Sequence, residues 1–193
     1  VKTGAPPAAV VTWQDMQAHS RIDGDDEKAL VEQYIKEAEN RVNGMTNSTI
    51  AEQEWTARYA DFPLGEDGVT RDGTIFLPVG GCIDTEEAPP TITYVSSDSE
   101  VVPLTSFQFD PYKGIAEIKP APGETWPETM TGGLNNVKIV FKTKHPDPEV
   151  EGLVRLLVAF WYELRVPVSP DDVVPMGSPG GFENMVMNLR IGG

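Results

Sequence analysis

The hydrophobic period of this chain changes twice, and the two changes limit the folds open to it. Up to about residue 50 apolar side chains recur at helical spacing, from 51 to 144 they alternate, and from 147 the helical spacing returns. Side chains repeat about every 3.6 residues on a helix and every 2 on a strand, so helical segments must flank a strand-rich middle. This order is unlike the alternating strand and helix pattern of nucleotide-binding sheets.

In "VTWQDMQAHSRI", Thr12 suits an N-cap and Asp15 brings negative charge to the first turn, which predicts a short helix over 13–20. "DGDDEKALVEQYIKEAENRVNG" offers Asp25 as a cap and apolar residues at 30, 31, 34, 35, 38 and 42, which predicts an amphipathic helix over about 26–43, ended by Gly44. Beyond residue 50, Trp55, Ala57 and Tyr59 alternate with Thr56, Arg58 and Ala60. "TIFLPV", "TITYV", "VVPLTSFQF", "GIAEIKP" and "VKIVFKT" are β-branched or aromatic runs parted by turn residues, so five or six short strands are expected. In "DPEVEGLVRLLVAFWYELR", Asp147 can cap and Pro148 suits the first turn of a helix that reaches Arg165 before Pro167 stops it. The remainder is rich in Pro and Gly except for "FENMVMNLRI", where Met185, Met187, Leu189 and Ile191 alternate with Val186, Asn188 and Arg190 as in a strand.

The expected class is therefore α+β, with a small helical core (two N-terminal helices plus one long C-terminal helix), a β-rich insertion and an extended C-terminal tail. At 193 residues one domain is expected, with 12–50 and 146–166 as the helical core, 51–145 as the insertion and 167–193 as the tail.

Thirty acidic residues against fifteen basic ones give a formal net charge of −15. Such a chain repels phosphate backbones, which argues against a nucleic-acid-gripping groove; the charge fits ordinary solubility first, and a passage wall along which DNA slides second. Cys82 is the single cysteine, so neither an intrachain disulfide nor a cysteine-based zinc site can form. No apolar run approaches the length of a membrane span, and no signal-peptide core precedes the first helix, so a soluble protein of a reducing compartment is expected.

Catalytic patterns are missing from the sequence. His19 and His145 are isolated, no Gly-x-Ser-x-Gly elbow is present, and "MGSPGGF" has no following Lys-Ser/Thr. "DGDDE" at 23–27 departs from a calcium loop because its twelfth position falls at Tyr34. The acidic pairs Asp25-Asp26, Glu86-Glu87 and Asp171-Asp172 are expected by chance among so many carboxylates. The expectation is a non-enzyme without metal or cofactor. A carbohydrate-binding or host-recognition module is the alternative that the strand-rich segment leaves open.

The order of these segments resembles the head-tail connector (adaptor) proteins of long-tailed bacteriophages and of phage-like gene transfer particles. The resemblance starts at "VVTWQDMQAHSRIDGDDEKALVEQYIKEAENRV", continues through "LPVGG", "TITYV", "GETWPE" and "VKIVFKTKHPD", and is strongest at "VEGLVRLLVAFWYELR". There Trp161, Tyr162 and Arg165 match the family's Trp/Tyr-Tyr-x-x-Arg signature, with Leu164 where the family often has Asn, and with Pro146 and Pro148 earlier than the family's usual Val-Pro. The resemblance implies a virion protein of the head-tail interface, assembled in the host cytoplasm as a homo-oligomeric ring, typically of twelve subunits. A portal protein would lie above it and a stopper or tail-completion protein below, with DNA passing through unbound and no membrane involved.

Seven successive apolar residues, 156–162, cover every side of a helix, so this helix needs cover on nearly all sides. Leu153, Leu156, Leu157 and Phe160 are expected in the subunit core, and Trp161, Tyr162 and Arg165 between subunits. Phe182, Met185, Val186, Met187, Asn188, Leu189, Arg190 and Ile191 are expected to dock on the portal as an added strand, the alternative being that they form the chain's own edge strand folded back on the middle segment.

Overall fold

A computed structural model of the chain describes residues 1–3, 9–81, 89–111, 115–164 and 178–191. The fold is α+β, and the chain divides into two compact units. One comprises Val1–Pro6, Glu52–Lys144 and Ile191–Gly193; the other comprises Pro7–Ala51 and His145–Arg190.

In the helical unit, α1 spans Trp13–Ser20 as the sequence predicts, because Thr12 and Asp15 cap each other's backbone. The Thr12 hydroxyl accepts from the Asp15 N–H at 3.2 Å, and the Asp15 carboxylate accepts from the Thr12 N–H at 2.8 Å. Helix α2 spans Lys28–Thr46 and corrects two expectations. Asp25 is not its cap; its carboxylate instead accepts from the Trp13 indole N–H at 3.3 Å. Gly44 lies inside the helix, whose cap is Asn47 at a left-handed φ of 53°. A glycine in mid-helix costs only about 1 kcal/mol relative to alanine. The full burial of Val42 and Thr46 on either side of it favours the extra turn, with the Thr46 hydroxyl donating to the Val42 carbonyl at 2.8 Å.

Helix α3 spans Glu149–Glu163. Pro148, and not Asp147, is its N-cap; Asp147 stands one residue earlier, and its carboxylate accepts from the Glu149 N–H at 2.8 Å. Arg165 and Pro167 lie outside the described residues, as do Cys82 and the pairs Glu86-Glu87 and Asp171-Asp172. The final described segment overturns its strand reading, for Phe182–Asn188 form a helix, α4. Met185, Met187, Leu189 and Ile191 do alternate, but the helical spacing of Phe182, Val186 and Leu189 is the pattern that tertiary packing selects. Helices α1, α2 and α4 all pack on a common core with α3.

The β unit holds two antiparallel sheets. The first has the order β1-β2-β8-β4-β5, where β1 is Lys2–Thr3, β2 Gln53–Tyr59, β4 Thr91–Val95, β5 Val101–Leu104 and β8 Val137–Thr143. The second has the order β3-β7-β6, where β3 is Ile75–Phe76, β6 Phe107–Asp110 and β7 Glu117–Pro120. The run "VVPLTSFQF" thus supplies two strands in different sheets, which is why seven strands are described within 51–144 against the five or six expected there; β1 precedes that segment. Pro103 is tolerated because β5 is an edge strand.

Central strand β8 pairs with β2 from Gln53↔Thr143 to Tyr59↔Val137 and with β4 from Thr91↔Val140 to Tyr94↔Val137. Its alternation buries Val137, Ile139, Phe141 and Thr143. The three apolar ones join Ala57, Ile92, Ile75, Ile118 and Leu77 in one core shared by both sheets. Trp126 of "GETWPE" is 2 % exposed and stacks on Phe62 at 4.9 Å, its indole N–H donating to the Gly73 carbonyl at 2.7 Å. A Cβ at Gly73 would stand 2.3 Å from the Leu64 carbonyl oxygen, so the loop beside Trp126 needs glycine there.

Candidate functional site

Of the residues singled out from the sequence, Trp161 and Tyr162 lie near the end of α3, Phe182–Asn188 form α4, and Leu189, Arg190 and Ile191 follow it. Helix α3 buries one stripe, formed by Val150, Leu153, Val154, Leu157, Val158 and Trp161. Spacings of three and four residues place these six on a single face. Among the described residues, Ala159, Phe160 and Tyr162 also pack against this core, so cover extends past that face but leaves the side of Gly152 and Leu156 open. Gly152 is exposed, Leu156 is 37 % exposed, Leu164 is 47 % exposed, and Ala159 and Phe160 are half-buried. The same side of the helix also carries Glu149, Glu163 and the Glu151–Arg155 ion pair at 3.6 Å, so it is mixed in character.

This distribution corrects the assignment of residues at the end of α3. Trp161 is only 6 % exposed, and its ring meets Tyr34 edge to face at 6.0 Å in the core of the helical unit. Its indole thus has little surface left for a neighbour. Tyr162 is half-buried, and its hydroxyl donates to the Glu27 carboxylate at 2.6 Å, tying the end of α3 to the start of α2. Leu156, expected inside, faces outward. The sequence signal that distinguishes them is the phase of the stripe set by Val150 and Val154, which puts 161 inside and 156 outside.

The eight expected portal-contacting residues also divide by burial. Phe182 and Val186 are fully buried and Ile191 is 5 % exposed, whereas Met185 and Met187 are 49 % and 56 % exposed. Asn188 and Arg190 are exposed, and Leu189 packs against the helical core.

His145 holds the segment after α4 in place. Its ring is buried, its Nδ1 accepts from the Asp147 N–H at 3.1 Å, and its Nε2 lies 2.8 Å from the Leu189 carbonyl oxygen. With Nδ1 as the acceptor, Nε2 must carry the proton and donate to Leu189. Sequence reading treats such a lone histidine as a surface or capping group; it caps, but from inside the fold. Elsewhere in this unit Glu39 accepts from the Val10 N–H at 2.9 Å. Burial pushes the Glu39 carboxyl above its usual range, against the opposing pull of the Val10 and Val11 N–H groups.

Among the described residues no group of three His, Cys, Asp or Glu side chains is placed to hold a metal ion, and no helix is long and apolar enough to cross a membrane.

No protein-family model and no curated protein matches the sequence. Solved structures do match in fold. A chain in the virion of the native gene transfer agent (GTA) particle has a TM-score of 0.70 and 19% identity, covering 99% of this chain and 94% of that one. A chain in the neck of the empty GTA particle, computed with C6 symmetry, has a TM-score of 0.67 and 18% identity over the same shares. A chain in the neck of the native GTA particle, computed with C12 symmetry, has a TM-score of 0.59 and 18% identity, covering 98% of this chain and 96% of that one. The fold is thus shared over nearly the whole length of each.

Proposed function

We propose that this chain is a structural neck component of a phage-like particle, a head-tail adaptor whose copies close into a ring beneath the portal and extend the DNA channel toward the tail. The observation that carries this reading is the end-to-end fold likeness to chains of GTA necks treated with sixfold and twelvefold symmetry. The net charge of −15 supports a lumen that DNA traverses without being held.

The outward side of α3 around Leu156 is the contact we propose between copies, together with Tyr162 and with Arg165, which lies outside the described residues. Covering Leu156 and Leu164 with a neighbouring copy would remove apolar area from water. For the portal contact we propose the exposed side chains Met185, Met187 and Asn188, presented by a helix and not by an added strand, with Arg190 just beyond it. A sugar-binding role has less support, because the β unit's aromatic rings are largely inward. Trp126 is 2 % exposed, and the Trp55 indole N–H is engaged with the Thr143 hydroxyl at 2.8 Å.

Mixing the purified chain with the portal protein of the same particle and imaging the product by electron microscopy tests the reading. Rings seated on portals are expected. Persistent monomers with no portal association would overturn it.

A further inference from the structure

Three loops gather at one end of the five-stranded sheet. The register places the end of β2 beside the start of β8 (Tyr59↔Val137), the end of β4 on the other side of it (Tyr94↔Val137), and the start of β5 beside β4 (Val95↔Val101). Segments 60–74, 96–100 and 126–136 therefore emerge together. They are also joined to one another. Ser96 bridges Thr129, the Met130 N–H donates to the Val95 carbonyl at 3.0 Å, the Trp126 N–H donates to the Arg71 carbonyl at 2.6 Å, and the Thr129 hydroxyl donates to Asp61 at 2.8 Å.

This end displays aliphatic side chains to solvent: Val69 is 80 % exposed, Leu134 83 %, Val101 71 % and Leu64 48 %. The two loop tips among them are held firmly. Around Val69, the Asp67 carboxylate accepts from the Val69 and Thr70 N–H groups at 2.8 and 2.7 Å and from the Thr70 hydroxyl, while the Gly65 N–H donates to the Thr70 carbonyl at 2.7 Å. Beside Leu134, the Asn136 amide donates to the Met130 carbonyl at 2.5 Å. Fixed apolar tips bind with a smaller ordering cost than tips on a flexible loop.

The charge around the tips has one sign. Asp61 is paired with Arg71 at 2.7 Å, and the same three loops carry Glu66, Asp67, Asp72, Asp98, Glu100 and Glu128 with no other basic residue. Two copies meeting through this end would set like charges face to face, which disfavours self-association there. We propose that this loop end docks a different protein, one that offers an apolar pocket rimmed by lysines or arginines. The inference rests on the adaptor reading for its setting, which makes that partner a neighbour of the ring within the particle.

The test uses particles from a producing strain that carries the chain with Cys82→Ser and either Val69→Cys or Leu134→Cys. Maleimide labelling of each thiol is compared between the free protein and the particle, and a thiol-to-amine cross-linker on each thiol is traced by mass spectrometry. Labelling at least tenfold weaker in the particle, with cross-links to lysines of another protein, is the expected result. Unchanged labelling, or cross-links to a second copy of this chain, would overturn the proposal while leaving the adaptor reading intact. Particles with complete necks that lack the chain altogether would overturn the adaptor reading, and this proposal with it.

Discussion

Replacing Phe182 with alanine separates a C-terminal segment that belongs to the subunit core from one that waits extended for a partner. The ring is fully buried among helical-unit side chains that include Val186 and residues of α2 and α3. Truncating a buried phenylalanine forfeits its transfer free energy and leaves a cavity, together about 3–5 kcal/mol. With a urea m-value of about 2 kcal/mol/M, that loss lowers the unfolding midpoint by about 2 M. Tryptophan fluorescence reports the change through Trp13 and Trp161, both in this core, and hydrogen exchange localises it to the amides of α2 and α3. A variant that unfolds at the wild-type midpoint, with unchanged exchange in those helices, would refute the packing and restore an extended tail.

Other expectations follow from particular contacts. His145→Ala leaves the Leu189 carbonyl and the Asp147 N–H without their partner, at a cost of about 2 kcal/mol, and should expose residues 178–191 to limited proteolysis. Partial burial alone would raise the Asp61 carboxyl, but hydrogen bonds from Arg71, Thr129 and the Phe62 N–H, with the Arg71 charge, outweigh it and hold the group below its ordinary range. Its stabilisation is therefore complete above the unfolded value, about pH 4, and lost as pH falls through the lower folded value. Asp61→Asn should cost about 1 kcal/mol at neutral pH and remove that acid-dependent loss, read by thermal melts across about pH 2–7. Leu156→Asp should change subunit stability by no more than about 0.5 kcal/mol yet abolish rings in sedimentation, whereas Trp161→Ala should cost about 3–5 kcal/mol in folding itself.

The features that could be read without coordinates are those set by neighbours in sequence. The Thr12–Asp15 cap fixes α1 because both partners lie within one turn, and the alternation of Val137, Ile139, Phe141 and Thr143 fixes the buried face of β8. The α+β class follows from the same local periods. Features that depend on distant contacts were misread. Gly44 reads as a stop until Val42 and Thr46 are seen buried around it. "VVPLTSFQF" reads as one strand until its halves are found in separate sheets. The alternation in "FENMVMNLRI" and the helical spacing of Phe182, Val186 and Leu189 coexist in the same ten residues, and only the core they enter decides between them. Trp161 is buried and Leu156 exposed, against expectation, because a fully apolar run conceals the phase that Val150 and Val154 set. The loop end of the β unit could not be foreseen, since it exists only through the pairing of Tyr59 and Tyr94 with Val137, on strands distant in sequence.

The most direct measurement is electron cryomicroscopy of particles purified from a strain that produces this chain, combined with mass spectrometry of the same sample. A closed ring of copies between portal and tail, with α3 of each copy lying against its neighbour, is the expected result. A complete neck in which no density fits this chain, from particles that contain none of it, would contradict the adaptor role.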